Sequence, residues 1–184
     1  MIVVKVGGSL YDLPDLANRL RNILASLEED NLLLVPGGGE PANAVRAFDR
    51  LHGLGPGPSH WLALRACSLN GHFLRELLPE FAMVADPRNH QGTGILDPFA
   101  FVKDDEGRPG CLPHLWDATS DSVAARVAIV CGARLILLKS VSWPASDDWN
   151  GAARAGVVDP MLPGLIRNGS LRAEVINARE RGSC

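Results

Sequence analysis

Two apolar runs, each closing on a cluster of glycines, set the tightest limit on how this 184-residue chain can fold. Ile2-Val3-Val4-Lys5-Val6 leads directly into Gly7-Gly8-Ser9, and Leu32-Leu33-Leu34-Val35 leads into Pro36-Gly37-Gly38-Gly39. Neither run alternates apolar with polar residues, which is the pattern of a parallel strand covered on both faces. Glycine just past such a strand lets backbone N–H groups approach a ligand that a side chain would hold away. A helix start beyond the glycines adds partial positive charge aimed at the same point. Two such bends at the carboxyl ends of strands in one sheet form one anion-binding crevice.

The rest of the chain supplies the layers around that crevice. Helices are predicted over 12–28, with Leu16, Leu20, Ile23 and Leu24 on one face, and over 40–51, with Ala44, Val45 and Phe48 inward. A longer helix runs from Ser59 or His60 to residue 78, its apolar set including Leu62, Leu64, Leu69, Phe73 and Leu74. Residues 53–59 read as a loop, and their G-x-G is no dinucleotide fingerprint, because Pro56 follows and no strand precedes. Further strands are predicted at 81–85, at 95–102 despite Pro98, at 111–117 and at 134–138, the last ending on Lys139. Between them lie a polar loop at 86–94, an exposed turn at 103–110 and a helix opened by Thr119-Ser120-Asp121-Ser122. The tail reads as a loop over 140–151, a short helix over 160–166 and a strand over 173–176. This order predicts an α/β protein, a three-layer αβα sandwich around a mostly parallel sheet, with a single domain over 1–184.

Composition narrows the partners. A net charge of −3 and 21% charged residues give no reason to expect a nucleic acid or a membrane surface. No apolar run nears the roughly 20 residues of a membrane span, and Lys5 breaks the N-terminal stretch too early for a signal peptide. Cys67, Cys111, Cys131 and Cys184 lie far apart and read as reduced thiols of a cytoplasmic protein. His52, His60, His72, His90 and His114 have no metal-ligand spacing. Only three lysines stand against fifteen arginines, and two of them, Lys5 and Lys139, fall within or directly after the strongest apolar runs. Lysine there supplies a compact point charge where arginine would supply a planar fork. The other account is arginine-rich usage with three leftovers.

A lysine at a strand end beside backbone amides can balance charge moving between phosphates. The same residue can also be a strand-edge lysine in water. Three consecutive glycines cost folding entropy, so Gly37, Gly38 and Gly39 answer to backbone geometry or to a ligand's approach. Thr119, Ser120 and Asp121 are either ordinary helix-capping residues or a carboxylate holding nearby lysines in their charged form. Glu40 is either a first-turn acid favoured by the helix dipole or a partner for a substrate ammonium. His60, beside the glycine-rich loop, is a helix-end structural residue or a contact to a substrate phosphate. No G-x-x-x-x-G-K-[ST] is present, so this is not a P-loop protein.

Lys5-Val-Gly-Gly-Ser9, Pro36-Gly-Gly-Gly39, Trp116-Asp-Ala-Thr-Ser-Asp-Ser-Val-Ala124 and Leu135-Ile-Leu-Leu138, in that order, resemble the amino acid kinase superfamily. The resemblance implies an ATP-dependent kinase acting on a small phosphomonoester or carboxylate, with substrate in the N-terminal half and ATP–Mg²⁺ in a shortened C-terminal half. It assigns Lys5 to the transferring phosphoryl group and Asp121 to organising the charged site. It places Gly7, Gly8, Ser9, Thr119, Ser120 and Lys139 on the nucleotide, and Gly37, Gly38, Gly39, Glu40 and His60 on a small-molecule substrate. The family's late glycine–methionine–lysine loop has no counterpart, since no lysine follows Lys139. Lys139 then either supplies that charge or is a plain substitution. The short length and Val157-Val-Asp-Pro160 are similar to members that phosphorylate aminomethyl-furanmethanol phosphate. The resemblance also implies a homodimer or higher homo-oligomer, paired through the helix carrying Trp61, Leu62 and Leu69. A non-catalytic nucleotide or small-molecule binder on the same fold is the competing expectation.

Overall fold

A computed structural model describes residues 1–144 and 148–180. Cys184 and positions 145–147 of the predicted 140–151 loop lie outside the described residues. The strands are β1 (Ile2–Val6), β2 (Leu32–Pro36), β3 (Ala82–Val84), β4 (Thr93–Leu96), β5 (Arg134–Lys139) and β6 (Ala173–Asn177). All pair in parallel in the order β3-β4-β2-β1-β5-β6, so every strand ends on the same edge. β1 lies at the centre, with β2 on one side and β5 on the other. The winding direction reverses there, which opens a crevice at the carboxyl ends of those three strands.

The helices are α1 (Leu16–Ala25), α2 (Gly39–His52), α3 (Pro56–Leu77), α4 (Pro98–Asp105), α5 (Ser120–Cys131), α6 (Trp149–Arg154) and α7 (Leu162–Asn168). Strand alternation sorts the core between them. Ile2, Val4 and Val6 join Leu34, Ile136 and Leu138 under α1, where Leu16, Leu20, Ile23 and Leu24 are buried. Val3, Leu33, Val35, Leu135 and Leu137 face the opposite layer, against Val123, Ala124 and Val127 of α5 and Leu162 of α7. The helices thus cover both faces of the sheet, as the apolar strands predict. Lys5 follows Val3 by two residues and Lys139 follows Leu137 by two. Both lysines therefore leave the sheet on the α5 face.

Several expectations are corrected. Residues 95–102 do not stay extended: Leu96 ends β4, and Pro98 opens α4 with the Asp97 carboxylate accepting the Ala100 N–H at 3.1 Å. Asp-Pro is a cap followed by a first-turn proline, a helix start. That helix takes residues 103–105 out of the predicted turn and buries Asp105 against the Arg126 guanidinium. Residues 111–117 form turns rather than a strand, with Leu115 N–H closing on Pro113 O. Pro56 likewise starts α3 inside the predicted 53–59 loop, and Asp148 caps an unpredicted α6 through the Gly151 N–H. In α2 the inward residues are Ala42 and Val45, while Ala44 and Phe48 are exposed. In α3, Leu62, Leu69 and Phe73 face out, and Ser59, His60, Cys67, Asn70 and Gly71 face in. Cys67, Asn70 and Gly71 are buried there because α3 crosses the glycine bend, whose carbonyls need hydrogen-bond donors and whose backbone comes close.

Candidate active site

Lys5 and Lys139 converge on one carboxylate. Lys5 Nζ lies 2.9 Å from Asp121 Oδ1, and Lys139 Nζ lies 2.7 Å from Asp121 Oδ2. Lys5 and Asp121 are 5% and 3% exposed, so water screens neither charge appreciably. Burial alone would raise the Asp121 carboxyl, but the two ammonium groups outweigh it and hold the pKa at about 2. Burial and then repulsion from Lys5 bring Lys139 down to about 8, against the pull of Asp121. With both lysines protonated, the cluster carries one surplus positive charge.

Asp121 occupies this point because α5 begins there. Thr119 caps the helix, its hydroxyl accepting the Asp121 N–H at 3.3 Å. The cap is fastened by Asp159, which sequence reading quoted only within a resemblance. One Asp159 oxygen accepts from Thr119 N–H (3.0 Å), Thr119 Oγ1 (2.8 Å) and Ser122 N–H (2.9 Å), and the Ser122 hydroxyl reaches both oxygens. The other oxygen accepts from the Met161 and Leu162 amides ahead of α7. The Asp159 N–H in turn donates to Asp121 Oδ2 at 3.2 Å. An Asp-Pro dipeptide before an apolar helix was the local signal for such a cap.

The cluster opens on a cavity of about 450 Å³ lined by both bends, through Gly8, Ser9, Gly38 and Gly39, and by Glu40, His60, Thr119 and Ser120. The bends touch: a Cβ on Gly8 would collide with the Gly39 backbone. Gly7 and Gly37 do not line the cavity. Their amides are taken by Leu138 O and Val6 O, both at 2.9 Å, and a Cβ on either would strike the carbonyl it bonds. These two glycines serve close backbone approach. Ser9 Oγ donates to Ser140 Oγ at 3.0 Å, joining the loops after β1 and β5.

His60 is buried, stacked on His114 with 4.9 Å between ring centroids, and its Nε2 has no partner among the described residues. Burial, then the neighbouring His114, lower its pKa to about 4, so it is neutral near pH 7. Glu40 is exposed at the mouth and accepts from Asn43 Nδ2 at 3.2 Å. Two further residues line the wall: Arg46, which no sequence motif marks, and Trp116, which is quoted above only as the start of a family motif. Arg46 stands 4.9 Å over the Trp116 ring, and the Trp116 N–H donates to Asp49 Oδ2 at 2.8 Å. Their partners lie on different elements, and spacing along the chain does not report that.

Residues 1–89 match the family model described as the amino acid kinase family. The [5-(aminomethyl)furan-3-yl]methyl phosphate kinase of Methanocaldococcus jannaschii is 26% identical over 196 residues, covering 97% of this chain and 88% of that protein. Among solved structures, the uridylate kinase of Archaeoglobus fulgidus superposes with a TM-score of 0.65 at 17% identity, over 95% of this chain and 89% of that one. The UMP kinase of Ureaplasma parvum gives 0.67 at 16% identity, over 98% and 90%. The likeness to these two is one of fold.

Proposed function

We propose that this chain is a phosphotransferase of the amino acid kinase superfamily, moving a phosphoryl group from ATP to a small phosphomonoester. The observation that carries the reading is the pair of buried lysines on one carboxylate, facing a cavity shared by both glycine bends. In phosphoryl transfer the negative charge sits on oxygens of the moving group, and catalysis is positioning plus fixed positive charge. Lys5, at the end of the central strand, stabilises the group in transfer. Lys139 supplies the second charge, and Asp121 holds both ammonium groups in place without cancelling them. Amides of Gly8, Gly38 and Gly39 and the Ser120 hydroxyl complete a donor-rich wall suited to polyphosphate, with Ser9 and Thr119 held beside them by Ser140 and Asp159.

Bound magnesium–ATP supplies the phosphoryl group and screens its charge. Among the described residues no group of three His, Cys, Asp or Glu side chains stands ready to cage a metal. Magnesium commonly keeps its waters and rides on substrate phosphates, so the site's donor set is compatible with it. On the acceptor side, Gly38, Gly39 and the neutral His60 face a phosphate, Trp116 offers a flat ring, and the Glu40 carboxylate suits an ammonium group. These features fit [5-(aminomethyl)furan-3-yl]methyl phosphate, the substrate named for the relative from Methanocaldococcus jannaschii. Free Cys67, Cys111 and Cys131 fit a cytoplasmic setting, and no helix among the described residues is long and apolar enough to cross a membrane.

The second reading, a nucleotide binder without turnover, draws on the absence of any lysine after Lys139. Calorimetry with magnesium–ATP, followed by an ADP-release screen over phosphomonoesters including the furan phosphate, separates the two. The kinase reading expects ATP to bind and ADP to appear only with an acceptor present. Binding without ADP release from any acceptor favours the binder, and no binding at millimolar nucleotide removes both.

A further inference from the structure

We infer that Asn70 is a positioning residue for the acceptor phosphate, acting through the orientation of the triple-glycine bend. The inference rests on the kinase reading for the identity of the ligand, but its geometry stands apart from it. Asn70 lies in the middle of α3 and is buried. Its Nδ2 donates to Gly37 O at 2.7 Å and to Gly38 O at 2.8 Å. Both peptide planes of the bend are thus held by one amide group. A trans peptide points its carbonyl and the following N–H in opposite directions. With both carbonyls drawn onto α3, the Gly38 and Gly39 N–H groups turn away from it together, as a pair of donors. Those two glycines are the members of the triplet that line the cavity.

The remaining amide is locked separately. The Gly37 N–H donates to Val6 O at 2.9 Å and to the Tyr11 hydroxyl at 3.0 Å. Burial raises the Tyr11 hydroxyl's pKa well above the usual phenol range, so it stays neutral and can accept without repelling an anion. Glycine peptides turn readily, so the bend needs such clamps to keep its N–H groups aimed before a ligand arrives. Asn70 suits the task because its amide carries two N–H donors, one for each carbonyl. An aspartate there would set a carboxylate against both carbonyls, and an apolar side chain would leave them unpaired.

The test compares wild type with Asn70→Ala and Asn70→Ser, the latter keeping one hydroxyl donor should the alanine variant fail to fold. Two readouts are taken: separate KM values for acceptor and ATP, and the amide signals of Gly38 and Gly39 during titration with inorganic phosphate. The expected result is an acceptor KM raised at least tenfold in Asn70→Ala, an ATP KM within twofold of wild type, and intermediate values in Asn70→Ser. Phosphate should shift the two glycine amides in wild type and leave them unmoved in Asn70→Ala. A folded variant with unchanged acceptor KM, or with both KM values raised alike, overturns the inference, since a purely structural residue would lower stability without that split. The phosphate titration needs no turnover. Glycine amides that respond in wild type and not in Asn70→Ala, while no acceptor is phosphorylated, support Asn70's role and overturn the kinase reading instead.

Discussion

Lys139 loses its proton earlier than an ordinary lysine, and that gives the site a pH signature. Its ammonium is destabilised by burial and by Lys5 and titrates at about 8, against 10.5 for a free lysine. If this charge holds a phosphate, kcat/KM should fall as pH rises through about 8, because the deprotonated amine no longer attracts it. Stability moves the other way. Between about 8 and 10.5 the unfolded chain binds the proton that the folded one has shed, so this group makes folding more favourable as pH rises. The alkaline loss of activity should therefore arrive without a matching fall in Tm from Lys139. Lys139→Arg keeps its charge throughout this range and should carry the falling limb out of it. A wild-type profile flat to pH 9.5 would contradict the role given to Lys139. Asp121, held at about 2, should add no acid limb above pH 4.

Elements meet at this site through backbone contacts and caps. Gly8→Ala pushes a methyl group onto the Gly39 backbone and forces the two bends apart. The expected cost is about 1–3 kcal/mol with a loss of turnover, measured by urea unfolding and ADP release. Gly57→Ala, where a Cβ meets open space, is the control and should change neither. Asp159→Ala strips the starts of α5 and α7 of a shared acceptor and should cost about 2–4 kcal/mol, read by the same unfolding experiment. An unchanged midpoint would mean that the caps find other partners.

Legibility in the sequence followed how local each cause was. Gly8 and Gly38 were readable because a strand end that demands glycine announces itself within a few residues. The start of α5 was readable from its own Thr-Ser-Asp. At 97–98 the Asp-Pro helix start resembles extended chain in the sequence because apolar residues on both sides mask the cap. The buried face of α3 is less legible still. Its inward side is chosen by the bend's carbonyls and the crowding of Pro36 and Leu96 near Gly71, so Asn70 and Cys67 outrank Leu69 and Phe73 for burial. Asp159 shows only half of its role locally, in the cap before α7; the partners that tie it to the site, Ser122 and Thr119, lie 37 and 40 residues away along the chain.

On the scale of the whole molecule, the parallel sheet delivers Lys5, Lys139 and both bends to one edge, while α3 turns a second face outward. Leu62, Leu69 and Phe73 recur at helical spacing along that side, 39%, 59% and 40% exposed. Trp61, expected beside them, is partly buried near His60, His114 and Phe99 instead. A homodimer through this face is the proposed assembly, and light scattering should give twice the 19.7 kDa chain mass. Leu69→Glu should return it to one chain, and a monomeric wild type would remove the proposal. The account as a whole stands on the paired lysines being the phosphoryl-transfer centre. The measurement that bears on this most directly is phosphorus NMR of ATP and furan phosphate incubated with equal amounts of folded wild type and Lys5→Ala. The account predicts a new diphosphate resonance and ADP with wild type and neither with Lys5→Ala. Equal product from both enzymes would contradict it.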